Sequence, residues 1–117
     1  MTDVQTIPND VKVDHVYYTP QFNAVCAVAH DPFHGDIEID IVPDDRLLEF
    51  ISFEAWLKEE LASEETTVEG VARAVFDKLT EALPSAEIIV TVNAKTQTHA
   101  PASASITSSE MLLRSLS

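Results

Sequence analysis

Cys26, the only cysteine of the chain, is the strongest candidate for nucleophilic chemistry. Asp31 follows five residues later and could act as a general acid or base. His30 and His34 flank Asp31, and a histidine transfers protons readily near neutral pH. A single cysteine excludes an internal disulfide and a thiolate metal cage. The alternative is an inert cysteine on a buried strand, with Asp31 as an ordinary turn residue.

Four strands are predicted to carry and position these residues. Residues 22–30 form an apolar run, and residues 37–41 alternate isoleucine with acidic residues at a period of two. Residues 31–35 contain Pro and Gly, which favour a turn, so the two runs are predicted to pair as a hairpin. Residues 86–93 and 102–106 have the composition and alternation of two further strands.

Two helices are predicted between the strand pairs. Ser52 is the predicted N-cap of the first, which runs to about Ala62. Thr66 opens a capping-box pattern whose fourth residue is Glu69, and Pro84 marks the end of the second helix. The first helix has an apolar stripe of Phe53, Trp56, Leu57 and Leu61. The second has an apolar face of Val68, Val71, Ala72, Val75, Leu79 and Leu83.

The order strand, strand, helix, helix, strand, strand predicts an α+β domain. Its simplest packing is a four-stranded antiparallel sheet with both helices on one face. A length of 117 residues indicates one domain, with a core over about residues 18–106 and flexible ends at 1–13 and 107–117. Residues 111–113 are compatible with one helical turn. So short a sheet has two open edges, which subunits could cover by joining into an oligomeric barrel.

The charge is strongly negative, with 20 acidic and 7 basic residues and a net charge of −13. Such a surface repels nucleic-acid backbones and anionic lipid, which argues against free nucleic-acid binding. The sequence contains no apolar run of about 18 residues and no secretory signal pattern, so we expect a soluble, cytoplasmic protein. High acidity with few lysines is typical of proteins from high-salt cytoplasm, and an acidic protein of an ordinary cell is the alternative.

Residues 18–28 resemble the 7-cyano-7-deazaguanine reductases, the nitrile reductases of queuosine synthesis. That family carries a phenylalanine four residues before its cysteine and a proline six residues after it, and Phe22, Cys26 and Pro32 hold those positions. Gly35 and Ile37 fit as well, and the resemblance extends over about residues 18–106. The family has the tunnelling fold, in which enzymes act on purines and pterins. The resemblance therefore implies a ββααββ tunnelling fold that assembles into an oligomeric barrel.

The resemblance also implies roles for individual residues. Cys26 would add to the nitrile carbon and form a covalent thioimide, and Asp31, next to the turn proline, would assist proton transfer. His30 and His34 could supply the proton-transfer group that the family pattern lacks here, and His34 is assigned to this role. Glu69 would bind a purine-like base by accepting two N–H bonds, or it would serve the helix cap alone. Glu49 and Ser52, which match two positions of the family's cofactor-binding motif, are assigned to substrate binding.

Three departures from the family pattern change the expected reaction. Both lysines of the nicotinamide-binding motif are absent, and Glu54 stands in place of one of them. Phe33 follows the turn proline where the family has an acid, and Val68 replaces its histidine. The loss of the lysines predicts no nicotinamide cofactor, and a single cysteine with four scattered histidines predicts no metal site. Archaeal relatives that lack the motif add ammonia to the same nitrile, which gives the amidine of archaeosine in transfer RNA.

Four functions remain open from the sequence. The first is an enzyme that adds ammonia, rather than hydride, to 7-cyano-7-deazaguanine through Cys26. The second is a catalytically degenerate protein that binds a purine or pterin-like base. The third is a standard NADPH-dependent nitrile reductase with a diverged cofactor site. The fourth is a pterin-forming or GTP-opening enzyme, which would need a metal held by histidines and cysteine.

Overall fold

The computed structural model describes residues 2–95 and 100–108, so the helical turn expected at 111–113 lies outside the described residues. The strands are β1 (Thr6–Pro8), β2 (Val16–Tyr18), β3 (Gln21–Val25), β4 (Pro32–Val42), β5 (Arg46–Leu48), β6 (Glu87–Lys95) and β7 (Ala102–Thr107). The helices are α1 (Phe50–Ser63) and α2 (Val68–Ala82).

The main sheet is built around β4. One side of β4 pairs antiparallel with β6, which pairs in turn with β7. The other side pairs with β2 and β3, which follow one continuous register: Tyr18 lies opposite Ile39 and Gln21 opposite Asp36. The Pro20 carbonyl accepts from the Ile37 N–H at 2.9 Å, so pairing continues between the two short strands. The sheet is therefore four strands wide, as predicted.

Alternation along the strands separates the core from an open face. Ile37, Ile39 and Ile41 of β4 are fully buried, which confirms the predicted period of two. α2 packs over β6 and β7, and α1 packs over β3, so both helices cover the same face. The molecule is 17 Å thick along its shortest axis, which corresponds to one sheet and one helical layer. The predicted α+β class with two helices on one face is confirmed.

The first hairpin turns earlier than predicted. β3 ends at Val25 rather than His30, and β4 begins at Pro32, so the turn spans residues 26–31 instead of 31–35. His30 explains the difference, because its φ of 61° is a left-handed conformation that a strand does not contain. The tight turn is therefore made by residues that the sequence pattern assigned to the strand.

Both helices begin at residues other than those predicted. Glu49 caps α1 in place of Ser52, and Thr67 caps α2 in place of Thr66. The predicted apolar stripes are confirmed, since Phe53, Trp56, Leu57 and Leu61 are buried in α1 and Val71, Ala72, Val75 and Leu79 in α2. No helix in the described part of the chain is long and apolar enough to cross a membrane. β1 pairs with β5, a contact that the sequence pattern did not predict.

Gly35 is required by the close approach of β4 and β6. A Cβ at this position would lie 2.8 Å from the Asn93 carbonyl carbon and closer still to its oxygen, and both belong to the β6 backbone. We expect Gly35→Ala to lower the free energy of unfolding by about 1–3 kcal/mol or more, because the strands must separate. Urea denaturation measures the loss. Gly70→Ala is the control, since its closest contact is a Thr66 side chain that can rotate, and equal stability of Gly35→Ala and wild type would contradict the close approach.

Candidate functional site

Cys26 is placed by the tight turn between β3 and β4. Its N–H donates to the Asp31 carbonyl at 2.9 Å, and its carbonyl accepts from the His30 N–H at 2.9 Å. The Ala29 N–H points to the Cys26 sulfur, 3.5 Å away. The thiol is half-buried and forms no disulfide. The turn therefore fixes the backbone of Cys26 and leaves its side chain partly accessible.

Thr66 joins this turn to the start of α2. Its N–H donates to the Val25 carbonyl at 2.8 Å, and its carbonyl accepts from the Ala27 N–H at 2.7 Å. These bonds form a short parallel bridge between Cys26 and Thr66, although the two residues are far apart in the sequence. The bridge brings the cysteine next to the first turn of α2.

Glu69 lies in that first turn, and its carboxylate is exposed. The helix is capped by Thr67, whose hydroxyl oxygen accepts from the Gly70 N–H at 3.0 Å. Glu69 is thus the second residue of the helix and does not occupy the fourth position of a capping box, which corrects the prediction. Within the described residues its side chain makes no hydrogen bond or ion pair. The carboxylate is therefore available to accept hydrogen bonds from a ligand.

The turn, the start of α2 and the ends of β6 and β7 enclose a cavity of about 240 Å³. Its polar lining residues are Cys26, Asp31, Thr67 and Glu69. The remainder of the lining is apolar and consists of Phe33, Val68 and four alanines. A largely apolar pocket with a few convergent polar groups is typical of a small-molecule site.

The two positions that depart from the family pattern lie in this same cavity. Phe33 is buried beneath it and packs edge to face against Phe22, with ring centroids 5.8 Å apart. Val68 is half-buried beside Glu69. The four residues that the sequence resemblance matched to family positions, Cys26, Phe33, Val68 and Glu69, therefore all line one pocket. At these two positions the wall is hydrocarbon instead of a proton-transfer group.

His30 and His34, the two histidines that flank Asp31 in the sequence, do not line this cavity. His34 lines a separate groove on the open face of the sheet with Asp36 and Lys95, because alternation along β4 turns it away from Phe33. His30 directs its ring at Glu65, with 2.6 Å between Nδ1 and Oε2, and does not line the cavity. Among the described residues, no cluster of three or more His, Cys, Asp and Glu side chains could hold a metal ion.

Glu49 and Ser52 have structural partners at the start of α1. The Glu49 carboxylate accepts from the Ile51 N–H at 2.7 Å and from the Ser52 N–H at 2.9 Å. The Ser52 hydroxyl donates to the Glu49 carbonyl and accepts from the Gln5 N–H at 2.8 Å. Neither residue lines the Cys26 cavity. The backbone N–H groups of Ser52 and Ile51 hold the pKa of Glu49 below its ordinary value.

Comparison with known proteins gives a structural match only. No family model and no curated protein sequence matches this chain. Its structure is similar to the crystal structure of the archaeosine synthase QueF-like in the apo form, with a TM-score of 0.73 and 16% sequence identity. The match covers 83% of this chain and 95% of that one. The chain therefore has the tunnelling fold that the sequence resemblance implied.

The cap role of Glu49 predicts a pH dependence of stability. Its folded pKa is lowered, so its stabilising effect is full above the unfolded pKa and is lost as the pH falls through the folded value. We expect Glu49→Gln to lower the urea midpoint at neutral pH, and the difference from wild type to shrink under acid. Glu60→Gln, on the same helix, is the control. Equal midpoints of Glu49→Gln and wild type at every pH would rule out the cap.

Proposed function

We propose that this protein adds ammonia to the nitrile of 7-cyano-7-deazaguanine through a thioimide on Cys26. The observation that carries the proposal is the convergence of Cys26, Asp31 and Glu69 on one cavity. The tunnelling fold, which the chain shares with an archaeosine synthase QueF-like structure, supports the same class of chemistry. Each of the three side chains has a separate role in this proposal.

Glu69 binds the base. Its carboxylate has no partner in the described residues, because Thr67 supplies the helix cap. A carboxylate accepts two parallel N–H bonds from the guanidine-like edge of a deazaguanine, in a charge-assisted bidentate contact. Phe33, Val68 and the alanines offer apolar surface to the rings of such a base. A cavity of about 240 Å³ suits a flat bicyclic ligand.

Cys26 and Asp31 carry the covalent steps. The Cys26 sulfur attacks the nitrile carbon, a C–S bond forms, and one C–N π pair moves to nitrogen. Asp31 accepts the thiol proton and returns it to that nitrogen, which gives a neutral thioimide. Ammonia then adds to the same carbon, the C–S bond breaks, and the sulfur regains a proton as the amidine leaves. The sum is one nitrile and one ammonia to one amidine, with no change of oxidation state.

Hydride transfer is a weaker alternative, because this chain lacks the two lysines of the nicotinamide-binding motif. Ile51 and Glu54 stand at the two lysine positions, and both are exposed at the start of α1. A carboxylate at such a position repels the phosphate of a nicotinamide cofactor. The standard NADPH-dependent reductase therefore remains an alternative that an assay for NADPH oxidation would reveal.

The charge around the cavity favours a free base over a base within a polynucleotide. Glu64 and Glu65 lie exposed just before α2, and Asp31 and Glu69 line the cavity itself. No lysine or arginine is among its described lining residues. A phosphate backbone would meet four carboxylates here, and cations usually supply most of the affinity for nucleic acid.

We also propose a homo-oligomer. In the described residues one edge of the sheet is β7 and the other is formed by β2 and β3, and pairing between the β7 of one subunit and the β2–β3 edge of the next would cover both edges. Ala100 and Ala102 belong to the β7 end of the cavity, so a neighbouring subunit would pass close to the site.

Incubation with 7-cyano-7-deazaguanine tests the enzyme proposal. Without ammonia, intact-mass analysis should show one covalent adduct per chain, and Cys26→Ala should show none. Asp31→Asn should form the adduct about 10²- to 10⁴-fold more slowly, because it removes the proton-transfer group. Absence of any adduct in folded wild-type protein would contradict the proposal. Circular dichroism under the assay conditions shows whether the protein is folded.

A catalytically degenerate base-binding protein is the second candidate, and Phe33 and Val68 favour it. Glu69→Gln separates binding from chemistry when both are measured on a Cys26→Ala background. Loss of the charged acceptor should weaken binding about 10- to 100-fold, while Asp31→Asn should leave the affinity close to that of the parent. Calorimetry measures both. Tight binding without an adduct would select this candidate, and equal binding by Glu69→Gln would remove Glu69 from the base site.

A further inference from the structure

The Cys26 turn is held to the start of α2 at two places. The backbone bonds of Thr66 to Val25 and Ala27 hold the base of the turn, at 2.8 and 2.7 Å. The side-chain contact between His30 Nδ1 and Glu65 Oε2, at 2.6 Å, holds its far end. The turn between them is exposed and makes its remaining hydrogen bonds within itself. The position of the sulfur relative to Glu69 thus depends on these two attachments.

We infer that His30 and Glu65 are positioning residues, which keep the Cys26 sulfur directed into the cavity. His30 is well suited to this role. Its backbone lies in the left-handed region, with a φ of 61°, and its Nδ1 lies 2.6 Å from Oε2 of Glu65, while the ring does not line the cavity. The effect on the nitrile reaction rests on the proposed function, whereas the effect on the thiol itself does not.

Breaking the contact between His30 and Glu65 should change two reaction rates of Cys26 in opposite directions. When the pair is broken, the turn opens more often, so the half-buried sulfur becomes more accessible to a small reagent in solution. The same opening moves the sulfur away from a base held by Glu69, so attack on the bound nitrile slows. A general base at His30 would act differently, because its loss would lower both rates.

The test compares Glu65→Ala with wild type in two assays of the full chain. Alkylation of Cys26 by iodoacetamide should become about two- to five-fold faster, because an exposed side-chain contact contributes at most about 1 kcal/mol. The rate constant of adduct formation with 7-cyano-7-deazaguanine should fall, but by a smaller factor when the open turn is the minor state, because the reaction depends on the fraction of turns that stay closed. The half-saturating concentration should stay unchanged. The melting temperature should stay close to that of wild type, because Glu65 is exposed.

Two further variants act as controls. His30→Asn keeps a nitrogen donor at the position of Nδ1 and tolerates a positive φ, so both rates should remain near those of wild type. Asp40→Ala breaks a comparable exposed pair, in which His15 Nε2 lies 2.7 Å from the carboxylate on the open face of the sheet. It should change neither rate, because that pair is remote from the turn.

The outcomes separate the positioning role from the proposed function. Unchanged alkylation in Glu65→Ala, a fall in both rates, or the same change in Asp40→Ala would overturn the inference. If wild type alkylates but never forms a nitrile adduct, the proposed function fails, and the alkylation rates still decide whether the pair holds the turn. Faster alkylation of Glu65→Ala, with a wild-type rate of alkylation for His30→Asn, supports the positioning role of His30 and Glu65.

Discussion

The alternation of side chains along β4 is the constraint on which the site depends. β4 is hydrogen-bonded on both sides, so its register with its neighbours is fixed. Phe33 therefore faces the helices and lies beneath the cavity, whereas His34, the next residue, faces the open side of the sheet. Gly35 allows β6 to approach closely enough for this pairing. The alternation along β4 thus places Phe33 in the site and turns His34 away from it.

Patterns set by burial were predictable from the sequence. Ile37, Ile39 and Ile41 alternate with acids, and the helix stripes recur at helical spacing, so their inward faces follow from periodicity alone. The turn was not predictable in this way. Pro32 and Gly35 are turn formers by composition, yet both lie within β4, where pairing with β3 and β6 outweighs their local preference. Extending the alternation back from Ile37 to Phe33 would have placed His34 on the open face.

The candidate site was predictable only in part, because its two halves lie far apart in the sequence. The resemblance identified Cys26 and Glu69, and the cavity brings them together with Asp31. The contact that unites them, the bridge between Cys26 and Thr66, uses backbone atoms and leaves no signature in side-chain types. Glu49 and Ser52 matched a motif, but their hydrogen bonds serve the start of α1. A polar residue at the start of a helix can cap the helix or bind a ligand, and only its hydrogen-bond partners distinguish the two roles.

Phe33 and Val68 contribute only hydrocarbon to the cavity, so its acidic side chains in the described residues are Asp31 and Glu69. The proposed function requires that the Cys26 sulfur reacts with a nitrile held in this cavity. Carbon-13 NMR of 7-cyano-7-deazaguanine labelled at the nitrile carbon observes that atom directly. The account predicts that the protein replaces the nitrile resonance by a thioimide resonance, which becomes an amidine resonance when ammonia is added. A nitrile resonance that stays unchanged with saturating folded protein would contradict it.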